Sequence, residues 1–244
     1  MNSLNDRQKY LAMCLLATAA LIGGVSSASA QAPALGAAGN FAVLGGKSVT
    51  CTGGAVVGEV GISPGITASY TNTGCAVAGA TPPASNAAAA QAHADFLTAY
   101  DALAVKAATY ACTQLTGSLA GEILAPGEYC LDTGAKTGLL TLKGPPSGVW
   151  TFFSIGALTG TNFSVVMAGG GQPCNVFWVP SKAATLTTST LKGTILAGNA
   201  AVGSVTLTGG TLTGRALANV AVTTTGTSVV GCQAHALAPK VEDQ

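Results

Sequence analysis

The sequence predicts a mostly β fold: a β-solenoid of stacked coils with one long α-helix packed along one face. Two observations carry this expectation. TLTTSTLKGTILAG (185–198) returns 21 residues later as TLTGGTLTGRALAN (206–219), agreeing at eight of fourteen positions. Val222-Thr223-Thr224-Thr225 begins a third, shorter copy. Repetition at a period near 20 marks units that bury their apolar side only by stacking on one another. The second observation is that a single stretch, from Ala84 to about Lys106, is strongly helical in pattern, and nothing helical returns after Leu119.

The N-terminus comes first. Arg7 and Lys9 precede an apolar run from Tyr10 to Gly23, and Ala28-Ser29-Ala30 supplies a small-residue cleavage pattern. Residues 1–30 therefore read as a signal peptide, the run being shorter than the roughly 20 residues of a membrane span. The exported chain, 31–244, suits one domain, with a flexible tail expected from about 233. Without Asp6, Arg7 and Lys9 it carries eight basic and eight acidic residues. A net charge of zero argues against nucleic acid, whose phosphates call for clustered Lys and Arg. The whole chain is 48% hydrophobic, which separates it from disordered Gly- and Thr-rich chains.

Six cysteines follow the signal: Cys51, Cys75, Cys112, Cys130, Cys174 and Cys232. An even number in an exported chain implies disulfides, and fifteen pairings are open. No C-x-x-C or H-x-x-x-H spacing points to zinc, and no cofactor is implied.

Short strands separated by glycines are expected over 34–72, for example Phe41-Ala42-Val43-Leu44 and Ala55-Val56-Val57. Thr81-Pro82-Pro83 ends the extended part, and Ser85 or Asn86 can cap the helix of about 84–106. Phe96, Leu97, Tyr100, Leu103 and Ala104 share one of its faces. Its length of roughly 35 Å matches about seven coils at ~4.8 Å spacing. Val149-Trp150-Thr151-Phe152-Phe153 and Val176-Phe177-Trp178-Val179 are apolar on both sides, as strands covered on both faces are. The helix is the available cover.

In the repeats, alternation turns Leu186, Leu191, Leu207 and Leu212 inward, and Thr185, Thr187, Thr190, Thr206, Thr208, Thr211 and Thr213 outward. Outward threonines of stacked coils form files at the ~4.8 Å strand spacing. Thr holds a hydroxyl and a methyl at a fixed place because its side chain is stiff at χ1. Such a file can order water, although Thr also simply suits exposed strands.

Groups for catalysis are sparse. His93 lies in the polar stretch Gln91-Ala92-His93-Ala94-Asp95 and is expected on a solvated helix side; His235 lies in the tail. There is no G-x-S-x-G elbow. Gly45-Gly46-Lys47-Ser48 has Phe41 where a phosphate loop needs its leading glycine. A solenoid glycosidase or lyase needs clustered carboxylates, and residues 139–232 contain none. An enzyme is not expected.

Seven blocks in order, LGAAGNFAVL (35–44), GEVGISPG (58–65), LAPGEY (124–129), VWTF (149–152), NVFW (175–178), GTILA (193–197) and GRALA (214–218), resemble the microbial ice-binding-like proteins. The resemblance implies a discontinuous β-solenoid of triangular cross-section, its first coil not stacked beside the next in sequence. It also implies one flat face that meets ice, often marked T-(A/G)-x-(T/N). Thr159-Gly160-Thr161-Asn162 and Thr208-Gly209-Gly210-Thr211 fit that pattern. Thr187-Thr188-Ser189-Thr190 and Thr225-Gly226-Thr227-Ser228 fit in part, and Thr52-Gly53-Gly54-Ala55 departs from it. The expected ice-binding residues are Thr159, Asn162, Thr185, Thr187, Thr190, Thr206, Thr208, Thr211, Thr225 and Ser228, with Lys143 and Lys192 close by. Disulfides Cys112–Cys130 and Cys174–Cys232 are likewise implied, leaving Cys51–Cys75. The function implied is that of a secreted, extracellular, monomeric antifreeze protein whose partner is ice or ordered water. It would need no membrane once the signal is cleaved. A structural or adhesive surface solenoid without ice activity is the alternative.

Overall fold

The computed structural model describes residues 30–65, 69–79, 87–109 and 112–232. The expected signal segment up to residue 29, the expected capping residues Ser85 and Asn86, His235 and the expected tail from 233 lie outside the described residues.

Among the described residues every strand pairing is parallel, one coil lying on the next. Fifteen strands alternate with short corners: β1 (Phe41–Gly45), β2 (Ser48–Val57), β3 (Glu59–Ile62), β4 (Tyr70–Thr73), β5 (Ala76–Ala78), β6 (Thr113–Leu115), β7 (Ile123–Leu124), β8 (Gly127–Leu131), β9 (Lys136–Lys143), β10 (Trp150–Ser154), β11 (Leu158–Ala168), β12 (Val176–Pro180), β13 (Ala184–Ala197), β14 (Val205–Ala218) and β15 (Ala221–Val230). The α-helix α1 (Ala87–Ala108), the one α-helix among the described residues, separates β5 from β6. It is longer at its C-terminal end than the expected 84–106. Each coil has three sides, giving a triangular section.

The helix side stacks β6, β8, β10, β12, the ends of β13 and β14, β1 and β3 in that order. The chain is therefore discontinuous. β1 lies on β14, and β2 lies on β15, so the N-terminal coils extend the C-terminal end of the stack. α1 then carries the chain back to the far end, where β6 starts again. Arg215, buried in β14, ties the junction: its Nε donates to the Gly39 carbonyl at 2.9 Å and its Nη1 to Thr194 Oγ1 at 3.3 Å.

Alternation sorts the aromatics. Tyr129, Phe152 and Trp178 point into the solenoid and stack, with ring centroids 5.4 and 4.1 Å apart. The Trp150 and Trp178 indoles donate to the Leu124 and Lys192 carbonyls. Phe153, Phe177, Val179, Leu196, Leu217 and Leu44 point the other way, onto Ala89, Ala92, Phe96, Ala99, Tyr100 and Leu103 of α1. The approach is close: a Cβ at Gly198 would lie 2.2 Å from the Tyr100 ring, so only glycine fits there.

His93 corrects the expectation of a solvated side chain. It is 8% exposed, edge-on to Phe96, with its Nε2 facing Gly46 and without a hydrogen-bond partner. Polar neighbours in sequence concealed its place on the inner stripe with Ala89, Ala92 and Phe96. Burial disfavours the imidazolium and lowers its pKa, and nearby Asn219 opposes this only in part.

Polar groups close the far end. Lys136, 1% exposed, occupies an interior position below Gly160 and donates to Asp132 and to the Gly117 carbonyl. Asp132 also accepts from the Gly117 and Gly134 amides. The Lys136 bond, then the backbone bonds, hold its carboxyl below the usual range. Disulfides join Cys112–Cys130 and Cys174–Cys232, the pairs the resemblance implies, and Cys51–Cys75, the pair left over.

Two outcomes are expected. Phe96→Ala should cost about 3–5 kcal/mol in urea denaturation; a loss below about 1 kcal/mol would mean that α1 contributes little to stability. Because His93 binds its proton less readily in the fold, the unfolded chain takes up more protons below about pH 6.5. Stability should therefore fall between pH 7 and pH 5, and the fall should be smaller in His93→Gln.

Candidate functional site

Cross-coil register places outward threonines directly above one another on the side that follows the helix side. Thr159, Thr185, Thr206, Thr223, Thr50 and Thr71 form one file. Thr161, Thr187, Thr208, Thr225, Thr52 and Thr73 form a second, two residues along each strand. Both files run without interruption across the β15–β2 junction, where the chain itself is discontinuous. The second file is exposed except for half-buried Thr187, and the first is half-buried except for exposed Thr185 and Thr71. Neighbouring threonines therefore repeat at ~4.8 Å along a file and at ~6.7 Å between files.

Between the files lie the inward residues Gly160, Leu186, Leu207, Thr224 and Cys51, the column ending in exposed Asn72. Only two are large and apolar. Buried Thr224 spends its hydroxyl on Cys51 Sγ at 3.0 Å. The threonine side ends at a corner whose first residue is left-handed in every coil. Asn162, Thr188, Gly209, Gly226, Gly53 and Gly74 have φ between 47° and 68°. Where the corner residue is not glycine, Thr188 Oγ1 donates to Asn162 Oδ1 at 2.6 Å. The next corner position turns inward: Thr227 Oγ1 bonds the Leu207 and Gly209 carbonyls, and Ser189 Oγ accepts from the Phe163 amide.

Beyond the corner the character changes. The third side carries Ser164, Thr190, Thr211, Ser228, Ala55 and Ala76 in one file. Its other file includes Val166, Lys192, Thr213, Val230, Val57 and Ala78. Lys192 Nζ donates to Thr213 Oγ1 at 3.0 Å, and Ile123, Leu139 and Val166 stand exposed near one end. Lys143 is exposed at the end of β9.

The expected site residues thus separate. Thr159, Thr185, Thr187, Thr206, Thr208 and Thr225 share the threonine side. Thr190, Thr211 and Ser228 lie past the corner on the third side, and Asn162 is a corner residue. Matching Thr159-Gly160-Thr161-Asn162 to the T-(A/G)-x-(T/N) pattern sets it two residues out of register, since Thr161, not Thr159, pairs with Thr187. Sequence reasoning passed over Thr161, Thr223, Thr50, Thr52, Thr71 and Thr73. Their signal is the tripeptide T-x-T, which recurs at 50–52, 71–73, 159–161 and 223–225 with a non-aliphatic middle residue.

Gly45-Gly46-Lys47-Ser48 is the corner between β1 and β2, closed by Gly46 and Lys47 amides on the Ala218 and Val220 carbonyls. Among the described residues no group of His, Cys, Asp and Glu could hold a metal ion, and no helix is long and apolar enough to cross a membrane.

The model of the family described as ice-binding-like matches residues 43–230, which span most of the solenoid. The chain belongs to that family. An ice-binding protein of Nostoc sp. (strain HG1) is 41% identical over 163 residues, covering 64% of this chain. The match spans 58% of that relative's length. Ice-binding protein K3-B1 of Typhula ishikariensis is 32% identical over 199 residues, 72% of this chain and 82% of that one. The crystal structure of an ice-binding protein from an Antarctic biological consortium superposes with a TM-score of 0.69 at 31% identity, over 85% of this chain and 95% of that one. The fold of this chain is thus shared with that ice-binding protein over most of both chains.

The corner geometry can be tested directly. Gly209→Val forces a β-branched residue into the left-handed region and should cost about 1–2 kcal/mol. Thr188→Asn places a residue that tolerates this region in the same corner, and should leave the urea midpoint unchanged or raise it.

Proposed function

We propose that this protein is a secreted ice-binding protein that adsorbs to ice through its threonine side. The observation that supports this most is the pair of threonine files, unbroken over six coils and held in register across the chain's own discontinuity. Threonine's restricted χ1 keeps its hydroxyl and methyl in place. The coil spacing of ~4.8 Å is close to the repeat of oxygens in ice, so each file can hold water in an ice-like row. Each threonine engages weakly, and adsorption arises because many engage at once. The third side is less suited, with a lysine, exposed Leu139 and Val166 and a mixture of Ser, Ala and Val in place of a uniform file.

The same reading makes the chain a non-enzyme acting as a monomer outside the cell, exported by the signal in residues 1–30. Three disulfides agree with an oxidising compartment.

The test is ice growth in the purified protein. Thr208→Tyr or Thr187→Tyr should leave folding within about 0.5 kcal/mol yet sharply reduce thermal hysteresis and recrystallisation inhibition, because a protruding ring lifts the face off a rigid lattice. Thr211→Tyr on the third side and Thr98→Tyr on the helix should be much milder. Equal activity in Thr208→Tyr and Thr98→Tyr would place adsorption on another face. Ice crystals left unshaped by the unmutated protein would favour a structural or adhesive module.

A further inference from the structure

The outermost coil on the threonine side is β4 with β5. Its strands have four and three residues and, among the described residues, a neighbour on one side only, β2. Inside the stack, the column between the threonine files carries Leu186 and Leu207, which bury apolar surface against adjacent coils. In this coil the same column ends, among the described residues, in exposed Asn72 above Cys51. Hydrophobic burial therefore contributes less here than inside the stack, and comes from half-buried Tyr70 in β4 and Val77 in β5, which pack on the core.

Two other devices take its place. Cys75 lies at the corner between β4 and β5 and is bonded to Cys51, which stands between Thr50 and Thr52 in the coil below. Asn72 then spans the corner: its Oδ1 accepts from the Cys75 amide at 2.9 Å, and its Nδ2 donates to the Cys75 carbonyl and the Tyr70 hydroxyl, both at 3.1 Å. Each device acts on the strand that carries Thr71 and Thr73.

We propose that the Cys51–Cys75 disulfide and Asn72 are positioning groups for ice adsorption, holding Thr71 and Thr73 in register as the last pair of the adsorbing face. This rests on the threonine side being that face. Without them the coil frays, and the face shortens by one pair while the remaining solenoid, with its own core and α1, stays folded.

The test compares Cys51→Ala/Cys75→Ala with Thr71→Ala/Thr73→Ala, and with both pairs combined, in the full exported chain. The cysteine variant should lose part of the thermal hysteresis, matching the loss in the threonine variant, and the combined variant should lose no more than either. Amide hydrogen exchange should speed up at residues 70–78 and stay slow in β13 and β14. Asn72→Ala, which keeps the disulfide, should show a smaller loss of the same kind, so the inference remains testable should the cysteine variant fold poorly. Full hysteresis in both the cysteine and Asn72 variants, additive losses, or faster exchange throughout the stack would overturn it. If Thr208→Tyr abolishes activity while these variants keep it, adsorption through the threonine side stands and this inference alone falls. Ice left unshaped by the unmutated protein would remove both.

Discussion

Parallel hydrogen bonding from coil to coil is the constraint on which the rest of this molecule depends. It fixes a ~4.8 Å repeat and makes each residue the neighbour of its equivalents above and below. A hydroxyl at one place in the repeat becomes a row, and so does a left-handed turn. The outward threonines and the corner residues Asn162, Thr188, Gly209, Gly226, Gly53 and Gly74 arise from the same register. The interior is subject to it as well, which is why Tyr129, Phe152 and Trp178 form a stack of rings and not a disordered cluster.

A stack of this kind leaves two problems, its ends and its broad apolar side. The helix solves the second by laying Phe96, Tyr100 and Leu103 over Phe177, Val179 and Leu217. The ends are closed differently. One interior column finishes in buried Lys136, held by Asp132 and the Gly117 carbonyl, and its other end finishes in Cys51 and Asn72. Polar or covalent closure replaces packing where no further coil exists to pack against, as terminal repeats of solenoids require.

Much of the architecture was legible because period and alternation are strong signals. The 185–198 and 206–219 repeats, the doubly apolar strands at 149–153 and 176–179, and the apolar stripe of the helix each led to the right neighbour. The site was legible only in part. Threonine files are a property of register between coils, and register across a discontinuity leaves no trace in the order of the chain. Thr50, Thr52, Thr71 and Thr73 belong with Thr223 and Thr225 although remote from them in sequence, as the Thr224–Cys51 contact at a separation of 173 residues shows. The corner was hidden too, since Thr187 and Thr190 look alike in sequence and sit on different sides. His93 was misplaced because polar neighbours outweighed its spacing from Ala89 and Phe96.

The break in the stack has a consequence for how the chain comes to be folded. β1 and β2 emerge early in synthesis, yet their partners β14 and β15 end near residue 230. Contacts between segments so remote in sequence form late and slowly. The early coils cannot complete their pairing until nearly the whole polypeptide is available. Until then their parallel edges would lie open to the wrong partner, the situation in which incomplete chains aggregate. The arrangement that gives a continuous surface to the finished molecule therefore makes its assembly close to all-or-none, with the first and last segments meeting only at the end.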